Sequence, residues 1–251
     1  MKKFLFVDLD DTLFQTPMKV PSAQDLEPIA FYKNGEVCSF TTAKQRELLA
    51  AFSREMTLIP TTARDADAFG RVDIAFKSYS IIDFGGVILL PDGTVDETWL
   101  NMMRIELAAA YEGLLRAKKI IDDYATSKSQ KGRARLVTDF GIPFYTLIKD
   151  PDKQIHHLAD IEQDALVPWL ASAEGNQFSI HRNANNLAVL PRCLDKSRAV
   201  NYVRQKLESE YGEILTFGMG DSLSDARFMT ACDYAILPRN SQLAAKVVTP
   251  L

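Results

Sequence analysis

Short runs of apolar residues, each ending in a polar turn, recur along this chain. Runs at residues 4–7, 56–60, 214–219 and 234–237 read as strands, and consecutive apolar side chains are typical of strands buried on both faces of a parallel sheet. Segments with helical periodicity separate them. This alternation predicts the α/β class, with a doubly wound parallel sheet as the core.

The pattern changes in the middle of the chain. From residue 95 to residue 124, apolar side chains recur at steps of three and four, which predicts one long helix. A strand, a helix and two further strands are predicted after it, at residues 144–148, 161–173, 178–181 and 186–190. This order is typical of an α+β unit with a mixed or antiparallel sheet. We therefore expect a core domain of residues 1–84 and 190–251 and an inserted α+β cap domain of residues 85–189.

The connection after the first strand is unusually long. Residues 15–40 exceed the roughly 2–6 residues of an ordinary strand-to-helix loop. The dipeptide Asn34-Gly35 between two apolar stretches predicts a β-hairpin, and we expect this hairpin to form a flap beside the first turn. Thr41 or Thr42 is a suitable N-cap for a helix that ends near Glu55.

Composition and charge exclude several classes of protein. The 251 residues carry a net charge of -4, which gives no basic footprint for nucleic acid or an anionic membrane. No apolar run approaches the ~20 residues of a membrane span, and the first residues lack a signal-peptide core. We therefore expect a cytoplasmic protein with no nucleic-acid or membrane partner. The oligomeric state cannot be read from the sequence.

Cysteine and histidine residues give no metal-binding pattern. The 3 cysteines are scattered and odd in number, which argues against a disulfide framework and against zinc spacing. The 3 histidines do not form a ligand spacing with one another. We expect the cysteines to be reduced packing residues.

The strongest chemical signal lies at the end of the first strand. Asp8, Asp10 and Asp11 place three carboxylates within four residues, and such a cluster is unfavourable unless a cation or shared protons offset the charge. Asp8 and Asp10 point to the same side of the strand, so one could attack an electrophile while the other handles a proton. A hard cation such as Mg²⁺ would suit these oxygen ligands. The alternative is an acidic turn that merely caps a helix.

Three later segments add polar groups at strand ends or helix starts. Thr62-Ala63-Arg64 follows the second strand, and a hydroxyl with nearby backbone N–H groups could hold a phosphate oxygen. Lys196 stands at the start of a helix. The helix dipole is unfavourable for a cation at this end unless carboxylates or phosphate lie nearby. Residues 220–225 contain Asp221 and Asp225 after a strand. Each segment alone could equally be a helix cap or a solvated surface.

Taken together and in this order, the four segments resemble the signature of the haloacid dehalogenase-like hydrolase superfamily. The insertion of roughly a hundred residues before Lys196 resembles the branch with a large α/β cap. Residues 187–191, followed closely by Asp195-Lys196, resemble the sucrose-phosphatase and related sugar-phosphatase group. Two departures from the family pattern are the long segment 15–40 and Ala63, which stands where glycine is usual.

The resemblance implies a role for each matching residue. Asp8 would be the nucleophile that forms an aspartyl-phosphate, Asp10 the general acid and base, Thr62 a phosphate ligand and Lys196 the compensating cation. Mg²⁺ would be held by Asp8, the backbone carbonyl of Asp10, and Asp221, with Asp225 as a further ligand or a supporting partner. We also expect a group of residues to line the substrate site: Asp11, Thr12, Ala63, Arg64, Ser222 and Asn240.

The implied activity is hydrolysis of a phosphomonoester, with a sugar phosphate or a similar small phosphorylated metabolite as substrate. A phosphomutase of the same superfamily is an alternative, because the sequence does not decide whether water or a second hydroxyl receives the phosphoryl group. A receiver-like signalling domain also has paired aspartates, a threonine and a lysine, but it needs only about half this length. A silent sugar-phosphate binder would gain little from two carboxylates that face an anionic ligand.

Overall fold

The computed structural model describes residues 1–20, 25–183 and 185–247, and it divides into two compact units. The first unit comprises Met1–Leu100 and Asp195–Leu251, and the second comprises Asn101–Leu194. The expected boundaries, after residues 84 and 189, differ from these. The first unit keeps the segment up to Leu100 because the Trp99 indole donates to the Gly85 carbonyl and its ring packs on Tyr202.

A four-stranded parallel sheet forms the first unit. Its strands are β1 (Lys2–Val7), β4 (Thr57–Pro60), β11 (Ile214–Met219) and β12 (Tyr234–Ile236). Their order is β12-β11-β1-β4, so the chain leaves the central β1 toward both edges. This is the predicted doubly wound sheet, and the fold class is confirmed. The core of the unit includes Leu5 and Val7, which are fully buried.

Helices and hairpins complete the first unit. The helices are α1 (Ala43–Glu55), α2 (Ala66–Phe69), α6 (Lys196–Tyr211), α7 (Ala226–Met229) and α8 (Gln242–Val247). The hairpins are β2 (Leu26–Phe31) with β3 (Val37–Thr42) and β5 (Ser80–Ile82) with β6 (Val87–Leu89). Thr42 caps α1 as expected, because its side chain accepts from the Gln45 N–H. The helix α3 (Glu97–Ser127) begins in this unit.

Two expectations for the first unit need correction. The run that forms β12 was expected to be buried, but β12 is the edge strand and Tyr234 is exposed. An apolar run of this length does not distinguish a central strand from an edge strand. The hairpin β2–β3 is not a free flap, because Ala30 is buried in the core and the backbone of Phe40 pairs with Gln15.

The second unit contains a four-stranded antiparallel sheet. Its strands are β7 (Arg135–Asp139), β8 (Ile142–Ile148), β9 (Phe178–Asn183) and β10 (Asn186–Pro191), in the order β7-β8-β10-β9. The rest of α3, α4 (Ile155–Asp160), a π-helical segment (Ile161–Leu166) and α5 (Val167–Leu170) supply the helices. Buried Leu114, Leu166 and Val189 join helices and sheet in one core. The α+β architecture of the insertion agrees with the prediction, although β7 was not foreseen.

None of the helices in residues 1–20, 25–183 and 185–247 combines the length and the apolar character that a membrane crossing requires.

Candidate active site

The carboxyl ends of three parallel strands bring the sequence motifs together. Val7 at the end of β1 is in register with Met219 of β11 and with Pro60 of β4. The residues that follow these strands therefore meet at one edge of the sheet, where ligands bind in open α/β folds. This edge holds the candidate site, and all of its described residues belong to the first unit.

A buried lysine joins two of the predicted aspartates. The Lys196 Nζ atom lies 2.8 Å from Asp8 Oδ1 and 2.7 Å from Asp225 Oδ1. All three residues are buried, with exposed fractions of 6% or less. Asp195 places the lysine by capping α6, since its carboxylate accepts from the Ser197 N–H. Lys196 and Asp8 are 188 positions apart in the sequence, and the fold brings them into contact.

The loop after β11 is shaped around Asp225. A Cβ atom at Gly220 would lie 2.5 Å from the Asp225 Cβ, so only glycine fits at that position. The second oxygen of Asp225 accepts from the Ser222 N–H at 3.1 Å and from the Ser222 hydroxyl at 2.6 Å. Both oxygens of Asp225 therefore have partners, and Ser222, predicted to contact substrate, contacts Asp225.

Burial and neighbouring charges shift the pKa values of Asp8, Asp225 and Lys196. Burial, above all, raises the pKa of Asp8 well above its ordinary value, and the charge of Lys196 only partly offsets this rise. Burial also acts to raise the pKa of Asp225. The charge of Lys196 and the hydrogen bonds from Lys196 and Ser222 outweigh burial, so the pKa of Asp225 lies below its ordinary value. Burial acts to lower the pKa of Lys196, but the charges of Asp225 and Asp8 raise it instead.

The third acidic group of the site is Asp221. Burial, followed by the charges of Asp225 and Asp11, raises the pKa of Asp221 to about 6. Its Oδ1 atom lies 3.4 Å from the hydroxyl of buried Thr12, which donates to it. A carboxylate with a raised pKa in an acidic setting is a typical candidate for cation binding or catalysis.

The donor set fits a divalent metal ion. Carboxylate oxygens of Asp8, Asp221 and Asp225 lie within 4.8 Å of one another. One ammonium, that of Lys196, cannot balance three carboxylates, and a single divalent cation would neutralise the remainder. Oxygen-only ligands are those that Mg²⁺ prefers. Because both oxygens of Asp225 have partners, Asp8 and Asp221 are the better placed ligands.

Asp10 lies outside this buried cluster. Its carboxylate accepts from Arg64 Nε at 2.7 Å and from Arg64 Nη2 at 2.8 Å, a bidentate ion pair. The side chain of Asp10 is 40% exposed, whereas that of Arg64 is 13% exposed. Burial acts to lower the pKa of Arg64, but the hydrogen bonds and charge of Asp10 raise it above its ordinary value. Asp10 thus remains accessible to a substrate while Arg64 holds it.

Thr62 is the buried hydroxyl at the end of β4. Its backbone N–H donates to the Ile81 carbonyl, and its Oγ1 atom accepts from the Arg64 N–H at 3.2 Å. The hydroxyl proton can therefore be donated to an anion. Ala63, half-buried, connects Thr62 to Arg64.

The remaining predicted contacts lie around the rim. Asp11 has a left-handed backbone with φ of 62° and forms an ion pair with Lys19. Asn240 is exposed on the turn before α8, and in α8 the Leu243 N–H donates to the Asp221 carbonyl. Lys19 was missed by the sequence reasoning. Its position shortly after the acidic turn, within the long connection of residues 15–40, could have indicated an ion pair with one of the aspartates.

A second residue that the sequence reasoning missed is Asp83. It is fully buried and has a φ of 50°, and its N–H donates to the Arg64 carbonyl, while the next residue, Phe84, donates to the Thr62 carbonyl. The turn after β5 is thereby fixed against the Thr62–Arg64 segment. A left-handed backbone at a non-glycine residue is not readable from the sequence.

The sequence was compared with family models and with curated proteins. Residues 153–248 match the family model of sucrose-6F-phosphate phosphohydrolase. No curated protein has a sequence that matches this chain.

Solved structures give matches over nearly the whole chain. The protein called Thermoplasma acidophilum 0175 has 17% identity to this chain and a TM-score of 0.54, with 99% of this chain and 89% of that chain covered. The C-terminal domain of C. albicans trehalose-6-phosphate phosphatase has 14% identity and a TM-score of 0.56, with 92% of this chain and 73% of that chain covered. The sucrose-phosphatase of Synechocystis in complex with sucrose and phosphate has 16% identity and a TM-score of 0.51, with coverage of 96% and 85%. At these identities the matches establish the fold, and the resemblance to haloacid dehalogenase-like phosphatases is confirmed at that level.

Proposed function

We propose that this chain, which has the fold of the haloacid dehalogenase-like superfamily, is a Mg²⁺-dependent phosphomonoester hydrolase that forms an aspartyl-phosphate on Asp8. The observation that carries the proposal is the buried arrangement in which Lys196 contacts both Asp8 and Asp225, with Asp221 close by. A buried carboxylate with a cation on one oxygen retains its other oxygen for attack. Bound Mg²⁺ would offset the negative charge of the phosphate and of the nucleophile.

The first half of the reaction is transfer to Asp8. The free carboxylate oxygen of Asp8 attacks phosphorus, the bond from phosphorus to the ester oxygen breaks, and Asp10 gives its proton to the departing alcohol. In this proposal Lys196, which contacts Asp8, and the buried Thr62 hydroxyl stabilise the charge on the transferred group.

The second half of the reaction is hydrolysis. Asp10, now a carboxylate, takes a proton from a water molecule whose oxygen attacks the phosphorus of the aspartyl-phosphate. The bond from phosphorus to the Asp8 oxygen breaks, which releases phosphate and restores the Asp8 carboxylate. The exposed position of Asp10 gives water access to it.

The substrate that we propose is a sugar phosphate or a similar small phosphorylated metabolite. Support comes from the matched family model, sucrose-6F-phosphate phosphohydrolase, and from the named sucrose-phosphatase and trehalose-6-phosphate phosphatase among the structural matches. We further propose that the second unit sets specificity as a cap and that the protein acts in the cytoplasm. Asp11, Thr12, Ala63, Ser222 and Asn240 remain proposed substrate contacts.

The test is phosphate release from a panel of sugar phosphates and other phosphomonoesters, with Mg²⁺ or with a chelator. We expect Mg²⁺-dependent release by the native chain and none by Asp8→Asn. Asp123→Asn is the matched control, because it makes the same change in an exposed carboxylate on α3. Phosphate moved between two hydroxyls of one sugar would indicate a mutase instead. A stable aspartyl-phosphate without turnover would indicate a receiver-like protein.

A further inference from the structure

The carboxylate of Asp10 is held by the side chain of Arg64. Two parallel N–H···O bonds from Arg64, at 2.7 and 2.8 Å, fix the plane of the Asp10 carboxylate as well as its position. The side chain of Asp10 is 40% exposed, so solvent borders part of it and these two bonds hold the carboxylate against Arg64. The orientation of the proposed acid and base therefore depends on Arg64.

Arg64 is itself rigidly supported. Its Nη1 atom donates to the Ala68 carbonyl at 3.2 Å, and its guanidinium group lies over the Phe14 ring at 5.2 Å. Its backbone N–H donates to the Thr62 hydroxyl oxygen, and its carbonyl accepts from the Asp83 N–H. A side chain fixed at both its backbone and its tip is a suitable support for a more exposed partner.

The donors of Arg64 point toward protein atoms. Nε and Nη2 bond to Asp10 and Nη1 bonds to the Ala68 carbonyl, so each nitrogen of the guanidinium group has a protein acceptor. An arginine that binds the substrate phosphate would direct its fork at the phosphate. We infer that Arg64 is a positioning residue that orients Asp10 for proton transfer. This inference rests on the proposed function, because it requires Asp10 to be the acid and base.

The leaving group separates this role from phosphate binding. A sugar alkoxide is a poor leaving group and needs a proton from Asp10, whereas nitrophenolate is a stable anion that departs without one. Loss of the Asp10 orientation should therefore slow phosphoryl transfer from a sugar phosphate much more than transfer from p-nitrophenyl phosphate. Loss of a phosphate contact would affect both substrates equally.

The experiment compares Arg64→Lys, which keeps the charge but loses the fork, with Arg64→Gln, Asp10→Asn and the native enzyme. For each enzyme and each substrate, the rate of the first turnover is measured by rapid quench. For both Arg64 variants, we expect the rate with the best sugar phosphate to fall by about 100-fold with KM nearly unchanged. The first turnover of p-nitrophenyl phosphate should stay within about threefold. The matched control is Arg116→Lys, which makes the same substitution at an exposed arginine on α3. Thermal melting verifies that each variant is folded.

A double variant tests the coupling directly. If Arg64 acts through Asp10, Arg64→Lys combined with Asp10→Asn should be no slower than Asp10→Asn alone. An equal rise in KM for both substrates with kcat unchanged, or additive losses in the double variant, would overturn the positioning role in an otherwise active enzyme. A native chain that neither releases phosphate nor forms an aspartyl-phosphate would overturn the proposed function, and the inference with it.

Discussion

Two aspartates on the same turn have opposite surroundings. Asp8 is buried and shares Lys196 with Asp225, whereas Asp10 is partly exposed and forms a bidentate pair with Arg64. Lysine is a compact point charge that can serve two carboxylates at once, and arginine is a planar fork that fixes the orientation of one. We call the first group, Asp8, Lys196, Asp221 and Asp225, the inner cluster, and the Asp10–Arg64 contact the outer pair.

The difference teaches what each group contributes. In the inner cluster the dominant quantity is charge, because buried carboxylates outnumber the buried cation and desolvation is costly. In the outer pair the dominant quantity is orientation, because solvent reduces the energy of the ion pair while the bidentate geometry persists. Changes in the inner cluster should therefore alter stability, and changes in the outer pair should alter catalysis without a large effect on stability.

The largest effect is expected from Lys196→Met. Removal of the ammonium takes away the cation that contacts both buried carboxylates, Asp8 and Asp225, so the free energy of unfolding should fall by about 3–5 kcal/mol at pH 7. Urea unfolding in chelator measures this loss, and saturating Mg²⁺ should recover part of it. Lys119→Met, on an exposed part of α3, is the control. A loss as small as that of the control would show that charge compensation does not govern the inner cluster.

Asp8→Asn should abolish activity without a loss of stability. The change removes the proposed nucleophile, so phosphate release should fall by about 1,000-fold or more. It also removes one negative charge from a cluster that has too many, so the urea midpoint in chelator should stay equal or rise. A clear fall in the midpoint would mean that the Asp8–Lys196 contact stabilises the fold more than the excess charge opposes it.

A smaller effect is expected in the pH dependence of the metal-free protein. The pKa of Asp221 is raised from 3.8 to about 6, so the folded state binds a proton more tightly than the unfolded state. The contribution of Asp221 to stability is thus present below pH 3.8 and is lost as pH rises to about 6. Melting temperatures in chelator should show this fall relative to Asp221→Asn, in which this titration is absent. Saturating Mg²⁺ favours the ionised carboxylate and should remove the fall; an identical pH profile for the variant would contradict the prediction.

Much of the fold could be predicted because its signals are local. The apolar run of β1, the Asn34-Gly35 turn and the cap at Thr42 each depend on neighbouring residues, and all three occur as predicted. The strand β7 was missed because Arg135–Asp139 mixes polar and apolar side chains at a sheet edge. The predicted single helix over residues 161–173 is a π-helical segment followed by α5, a change of helix type that apolar spacing does not reveal.

The candidate site was predictable as a set of strand ends but not as a set of contacts. Parallel strands align their carboxyl ends, so the convergence of Asp8 and Asp221, which follow β1 and β11, is explained by topology. The choice of partner is not, because side-chain orientation depends on atoms far apart in the chain. The contact of Arg64 with Asp10, 54 positions away in the sequence, was not predicted, and the role of Arg64 as a substrate contact stays a prediction.

The smallest effect is expected at the rim, where Asp11 and Lys19 form an exposed pair near the inner cluster. Asp11→Gly removes this pair, worth about 0–1 kcal/mol, and makes the unfolded chain more flexible, but it also relieves a left-handed backbone that costs about 1–2 kcal/mol. The free energy of unfolding should therefore change little. Because the charge of Asp11 helps to raise the pKa of Asp221, the variant should shift the chelator pH profile to lower pH. Lys19→Met should shift it in the opposite direction, because the charge of Lys19 lowers the same pKa. If neither variant moves the profile, burial, Asp225 and Lys196 set the acidity of Asp221, and the inner cluster is electrostatically independent of its rim.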